Sequence, residues 1–447
     1  MNNESSLYWI WLASHCGIAS KEFGRLVTRF QDPYELYRMN EDELEHLEGI
    51  SPHLKLLLGN KSLESAYDIL RYCRRYRVQI IPYTDEAYPD RLRNIEDPPV
   101  LLYALGNLPQ LNRRLCVGMV GTRKMSEYGK ETAYTISYEL AAANAVVVSG
   151  MAKGVDGVSA CGALAAGGDT VAVLGCGIST AYPKEHRSLM KAIVKQGAVI
   201  TEYPPMERPN GWNFPKRNRI ISGISQCVLV VEGNAESGAL ITAKRAIDQG
   251  KELFALPGKI DERNSEGPNA LIQGGARMAT CARDILDTYD FLYGDVLNEE
   301  GRVRGIQSPV PAQTAFTRYG VAGLYGEVES QKGTRYPTDR AKETRENKEK
   351  STVEPASVQK KEDYVAFQEE PVAPRGAEDL SSLDPVSRSV YLALPEDELF
   401  SADSVVCETL STVDVLTSLT MLELCDLVVS LPGGLYQKRT KKKTDVT

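Results

Sequence analysis

The chain is poor in histidine and has no closely paired cysteines. Its 447 residues hold four histidines, His15, His46, His53 and His186, none in an HExxH-like spacing. A histidine-based metal hydrolase or a Ser-His-Asp triad therefore has little to be built from. The nine cysteines include no CxxC pair, the closest two being Cys161 and Cys176. That argues against a zinc ribbon or a thioredoxin motif, and unpaired thiols suit a reducing compartment. No apolar run approaches the roughly 18–20 residues that span a bilayer. The short run Leu7–Ala13 follows Glu4, where a signal peptide would carry a cation, and reads as a core helix. The dinucleotide fingerprint GxGxxG is missing, because Gly118-Met119-Val120-Gly121 has the wrong spacing. Tyr128-Gly129-Lys130-Glu131 imitates the end of a Walker A loop but puts Glu where Ser or Thr would meet magnesium. NAD chemistry and a nucleotide-fuelled motor both lose their support, and no cofactor is expected.

What is present is strand–helix alternation. Short β-branched runs at Cys116–Val120, Val146–Ser149, Thr170–Gly175, Ala198–Glu202, Cys227–Glu232 and Glu252–Pro257 alternate with Ala/Gly-rich helical stretches. Among these helices are Gly129–Ala143, Glu185–Gln196 and Gly238–Gln249. The pattern predicts an α/β fold, a doubly wound Rossmann-like and mostly parallel sheet. Residues 1–80 read as a helical, helix-hairpin-helix-like domain whose two Gly-Ile turns, at Gly17 and Gly49, either expose N–H groups to a phosphate or simply end a helix. The sheet domain is expected over 81–294. The range 295–382, dense in charged and polar residues from Glu327 to Asp363, is expected to be a disordered linker. Hydrophobic periodicity returns over 383–437, with two edge strands around a turn at Val428–Tyr436, and suggests a winged-helix-like module. A basic tail, 438–447, closes the chain.

In a doubly wound sheet ligands sit beyond the carboxyl ends of the strands. Here those ends carry Gly121-Thr122-Arg123, Ser149-Gly150 with Lys153-Gly154, Gly175, Glu232-Gly233 with Ser237-Gly238, and Pro257-Gly258. The segment Phe214-Pro215-Lys216-Arg217-Asn218-Arg219 follows the fourth strand. Glycine lets a backbone approach an anion and opens the next helix with unbonded N–H groups. Arg123, Lys153, Lys216, Arg217 and Arg219 would add charge around the same crevice. The charge distribution agrees: residues 113–288 hold 21 Lys+Arg against 17 Asp+Glu, in a chain whose net charge is −8. A basic core inside an acidic protein points to a localised polyanion site. Asp156 and Glu232 have no partner base or nucleophile at a catalytic spacing, so they read as loop and cap ligands, and the site as one for binding rather than turnover.

These motifs, in this order, resemble those of the DNA-processing protein family called DprA or Smf. The resemblance is carried by Val120-Gly121-Thr122-Arg123 with Ser126 and Gly129, by Ser149–Asp156, by Tyr182-Pro183 and by Phe214–Ile221. It continues through Ser237–Ala243, Pro257-Gly258 and Gly267-Pro268-Asn269-Ala270-Leu271-Ile272. It extends outward over Tyr88–Leu92 and Pro98–Gly106. Two departures are Asp426, where the family usually has glycine, and the long linker.

The resemblance implies a cytoplasmic, homodimeric, non-enzymatic protein that binds single-stranded DNA and loads the RecA recombinase onto it, as in natural transformation. It implies that Arg123, Lys153, Arg217 and Arg219 contact phosphates while Gly121, Gly150 and Gly154 lend backbone N–H groups. Thr122, Ser149, Lys216, Asn218, Ser237 and Gly238 complete the expected DNA-binding set, and Phe214, with Trp212, would stack on bases. The sheet also resembles nucleotide-processing phosphoribohydrolases. Their PGGxGT loop is incomplete here, reading Pro257-Gly258-Lys259-Ile260. That alternative, or a nucleotide-sensing adaptor, would use the same crevice.

Overall fold

A computed structural model describes residues 3–297, 310–325, 385–395, 399–401, 404–405, 415, 418–419, 422, 427–431 and 435–438. By contacts the chain falls into two units, one spanning Met1–Glu327 with Glu423–Leu427 and one spanning Val328–Leu422 with Val428–Thr447.

The first unit opens with six helices: α1 (Asn3–Cys16), α2 (Lys21–Arg29), α3 (Pro33–Arg38), α4 (Glu41–Glu45), α5 (Pro52–Gly59) and α6 (Glu64–Tyr76). Ser51 and Asn40 cap their helices through side-chain oxygens, and Pro33 and Pro52 stand at first-turn positions where the missing N–H costs nothing. Gly17 (φ +71) follows α1 directly, while Gly49 (φ +76) lies in the turn between α4 and α5, and the Gly49 carbonyl accepts from Arg25. The turn at Gly17 is thus a helix stop, and the one at Gly49 an inter-helix turn. The sheet begins with β1 (Gln79–Pro82), the short helix α7 (Asp90–Arg93) and β2 (Leu101–Gly106). Trp9, Ile10, Trp11 and Leu12 on α1 are buried in the same core as Leu101 and Tyr103 on β2.

There follow β3 (Cys116–Val120), α8 (Glu127–Ala142), β4 (Val146–Ser149), α9 (Val155–Ala165), β5 (Thr170–Val173), α10 (Arg187–Gln196) and β6 (Ala198–Thr201). The second half is α11 (Asn213–Ile224), β7 (Cys227–Val230), α12 (Gly238–Asp248), β8 (Glu252–Ala255), α13 (Glu266–Gln273), β9 (Arg277–Met278) and α14 (Ala282–Tyr293). Nine strands pair in the order β1-β2-β6-β5-β4-β3-β7-β8-β9. β3 to β9 are parallel, and β1 and β2 add antiparallel. Every residue of β3, β4, β5, β6 and β7 is buried, as a sheet covered on both faces requires. α8, α9 and α10 cover one face and α11 and α12 the other. The winding direction reverses between β3 and β7, so the switch point of the sheet lies there.

Part of the expected linker range is folded. Val310–Tyr325, inside 295–382, forms α15 (Ala312–Arg318) and α16 (Ala322–Tyr325). Phe316 is buried edge-on against Tyr134, whose hydroxyl donates to the Val310 carbonyl. One aromatic anchor and its neighbours Ala315 and Val321 supply enough apolar burial to order this stretch. The remainder of 295–382 lies outside the described residues, apart from 295–297, as does the basic tail apart from Lys438.

In the second unit α17 (Pro385–Ala393) accompanies a three-stranded antiparallel sheet of β10 (Leu399–Ser401), β11 (Val428–Leu431) and β12 (Leu435–Lys438), in the order β10-β12-β11. β11 and β12 form the hairpin expected from Val428–Tyr436. Most of 402–427, where further winged-helix elements were expected, lies outside the described residues. Among the described residues no helix is long and apolar enough to cross a membrane.

Candidate nucleic-acid interface

The loops after β3 and β4 interlock at the carboxyl edge of the sheet. Gly154 sits at φ +83, and a Cβ there would run into the Thr122 carbonyl and come within 2.7 Å of the Arg123 Cα. A Cβ at Gly121 would approach Val155 to 2.5 Å. The Val155 amide donates to the Thr122 carbonyl at 3.3 Å. Glycine at 121 and 154 is thus what allows two backbones to touch here. Their contact sets Arg123 and Lys153, both exposed, on adjoining loops. Lys153 pairs with Glu185 at 2.6 Å, with side chains 45% and 47% exposed. So exposed an ion pair contributes little and is readily exchanged for a phosphate. No partner among the described residues takes the amides of Lys153 and Gly154.

Other helix starts are already satisfied from inside. The Ser126 Oγ accepts from the Gly129 amide, and the buried Glu232 carboxylate accepts from the Ser126 amide at 2.9 Å and from its hydroxyl. Gly129 has no room for a Cβ beside that carboxylate. Ser237 caps α12 through the Ala239 amide, and exposed Gly238 follows it. Asp156 accepts from the amides of Gly150 and Ala152 at 3.0 and 3.4 Å. Burial raises its carboxyl pKa, and Arg217 draws it back down. The two sequence-flagged acids are therefore loop ligands. The start of α8 is not an open anion site.

Several expected DNA contacts turn out to be internal. Ser149 is fully buried, its hydroxyl donating to the Asp156 carbonyl and accepting from the Met151 amide. Arg217, 4% exposed, reaches under the β4–α9 loop and donates to the carbonyls of Gly150 (2.8 Å) and Val173 and to Asn218 Oδ1 (3.2 Å). A Cβ on Gly150 would strike that guanidinium. Arg219, 1% exposed, forms a bidentate pair with Glu202 at 2.8 and 2.7 Å, with Asp97 3.2 Å from Nε. Burial pushes the Glu202 carboxyl up, and Arg219 opposes that shift. Neither arginine has surface to offer a phosphate, because desolvated guanidinium groups are held by internal acceptors. Trp212 is also buried. Phe214 is half-buried over Gly175, and its ring stacks on Tyr182 with centroids 5.0 Å apart. Tyr182, 39% exposed, offers an aromatic face beside Phe214; the sequence reading noted its motif but not this residue. Lys216 and Asn218 are half-buried on α11.

The surface that remains combines the cations Arg123, Lys124 and Lys153 on the loops after β3 and β4 with Tyr182, on the loop after β5, stacked on Phe214 at the start of α11. This is a Rossmann-like protein whose strand-end loops carry exposed cations beside an exposed aromatic face. Comparison with known proteins places it further. The family model for DNA recombination-mediator protein A matches residues 79–290, from β1 into α14. DNA processing protein DprA of Bacillus subtilis is 39% identical over 219 residues, 49% of this chain and 74% of that protein. DprA of Streptococcus pneumoniae is 41% identical over 207 residues, 46% of this chain and 73% of that protein. The X-ray structure of S. pneumoniae DprA superposes with a TM-score of 0.54 at 32% identity, covering 63% of this chain and 97% of that one. The chain belongs to the DNA recombination-mediator protein A family, also called DprA or Smf.

Proposed function

We propose that the chain binds single-stranded DNA along the carboxyl edge of its parallel sheet and delivers it to the RecA recombinase. The observation that carries this reading is the interlock of the β3–α8 and β4–α9 loops. It sets Arg123 and Lys153 on neighbouring loops, and at the same edge Tyr182, on the loop after β5, stacks on Phe214 in the first turn of α11. Cations that track a backbone and aromatic faces that take any base make a sequence-tolerant single-strand site, and stacking contributes about 1–3 kcal/mol per base. A duplex keeps its bases stacked inside and gains only the charge contacts. Arg217 and Asp156 hold the β4–α9 loop in place from below. The engagement of Asp156 and Glu232 with loop amides supports binding rather than turnover. Delivery to RecA, a homodimeric state built through the sheet domain and a cytoplasmic setting rest on membership of a recombination-mediator family.

The test is anisotropy of a labelled oligo-dT strand across a salt series, with duplex as competitor. Tight binding that prefers the single strand, with log K falling against log salt by about 0.7 per phosphate contact, is the expected result. Faster RecA filament formation on the coated strand would then support the delivery step. Absence of binding at low salt overturns the reading.

A further inference from the structure

A cavity of ≈ 610 Å³ opens at the switch point of the sheet, between the first turn of α8 and the loop after β8. The rim described above does not use it. Ser126 and Tyr128 line one side; Pro257, Gly258, Lys259 and Glu262 line the other. Its walls are rigid. The Tyr128 hydroxyl donates to the Pro257 carbonyl at 2.9 Å. Asn269 clamps Gly258 from both sides, accepting from its amide at 3.1 Å and donating to its carbonyl at 3.0 Å. Gly258 has no space for a Cβ beside Ser265. The Pro257-Gly258 and Asn269 motifs, singled out by sequence, thus build a fixed wall around open space.

The lining decides what fits. Of the carboxylates at the cavity, Glu232 is bonded to Ser126 and Glu127 is paired with Lys130 at 2.6 Å. Glu262 is exposed and has no side-chain partner among the described residues. An unpaired carboxylate repels phosphate and accepts from N–H donors. The Tyr128 ring, 49% exposed, offers an aromatic face, and Lys259 a single exposed cation at the mouth. Among the four bases, guanine alone presents two adjacent N–H donors on its pairing edge, N1–H and N2–H, and so matches a carboxylate with both oxygens. Thymine presents one donor flanked by two carbonyls.

We propose that this cavity is a base subsite for the bound strand, in which a guanine stacks on Tyr128, its pairing edge donates to Glu262, and Lys259 meets a neighbouring phosphate. The subsite rests on the single-strand reading above and adds a base preference to it.

The test uses the full chain and competition between d(TG)10 and dT20 for a labelled strand. A carboxylate pair at an exposed site should favour d(TG)10 by about fivefold or more. The variant E262Q, which keeps the loop but has only one acceptor oxygen, should bring that ratio to near one, and Tyr128→Ala should lower it too. Equal binding of both strands by the unmodified protein overturns the subsite alone. So does a preference that E262Q leaves intact. If dGMP binds as tightly as d(TG)10, the cavity belongs to a free nucleotide and the strand subsite is overturned. Binding of neither strand overturns the single-strand reading, and the subsite falls with it.

Discussion

Helix α11 and the two glycine loops facing it both carry cations, and the fold puts them to opposite uses. Arg217 and Arg219 point inward, one fastening the β4–α9 loop from beneath and the other neutralising Glu202 and Asp97 inside the protein. Arg123 and Lys153 point outward from backbones that glycines hold in contact. The difference teaches that positive charge near a strand end has two roles, and that burial with a named acceptor separates them. A buried guanidinium organises the loop; an exposed one stays open to solvent.

The largest effect should come from the buried side. Arg219→Ala leaves two carboxylates without their cation in the interior, and breaking a buried pair this way costs about 3–5 kcal/mol. Urea unfolding should show that loss. A cost below about 1 kcal/mol would erase the distinction between the two sets of arginines. Gly154→Ala sits between the sets. Its φ of +83 and the Thr122 carbonyl behind it should cost about 1–3 kcal/mol of backbone strain, and strand affinity should fall with it as the loops separate. Unchanged affinity would mean that the interlock does not position the rim. Tyr182→Ala should leave the melting temperature alone and remove about 1–2 kcal/mol of single-strand binding. If duplex binding falls equally, Tyr182 is not a base platform.

The smallest effect concerns pH. His186 is fully buried beneath the rim, its Nδ1 3.0 Å from the Met151 carbonyl, with Glu185 and Lys153 as its charged neighbours. Burial holds its pKa below the ordinary 6.5. The unfolded chain therefore takes up that proton first, and the contribution of His186 to stability, present above pH 6.5, is lost as pH falls through the folded value. Denaturant midpoints at pH 7.5 and 5.5 should fall further for the unmodified protein than for His186→Gln. Equal falls would show that the ring is not held neutral.

Much of the fold was legible in sequence, because a parallel sheet buried on both faces leaves unbroken β-branched runs. The strands read at Cys116–Val120 and Val146–Ser149 match β3 and β4 residue for residue, and the other four overrun by one or two residues. β1 was harder, being four residues long and ending in proline, and β9 has only two residues, both exposed. The ordered stretch 310–325 was hidden because its packing hangs on Phe316 within a polar neighbourhood. The glycine loops and the roles of Asp156 and Glu232 followed from local pattern. Arg217, Arg219 and Ser149 did not. Their partners Gly150, Val173, Glu202, Asp97 and Asp156 come from other elements, and a cation in a glycine-rich motif looks the same whether it faces solvent or a buried carboxylate. The cavity beside Tyr128 was invisible for the same reason, since its walls come from two elements some 130 residues apart.

The central claim is that the exposed rim holds the strand and the buried arginines do not. The most direct measurement is the salt-dependent affinity for oligo-dT of Arg123→Ala/Lys153→Ala beside the unmodified protein, with melting temperatures recorded for both. The expected result is an unchanged melting temperature, an affinity at least tenfold lower, and a log–log salt slope shallower by about 1.4, two contacts at 0.7 each. The same affinity and slope in the double variant would contradict the account and move the binding site elsewhere on the protein.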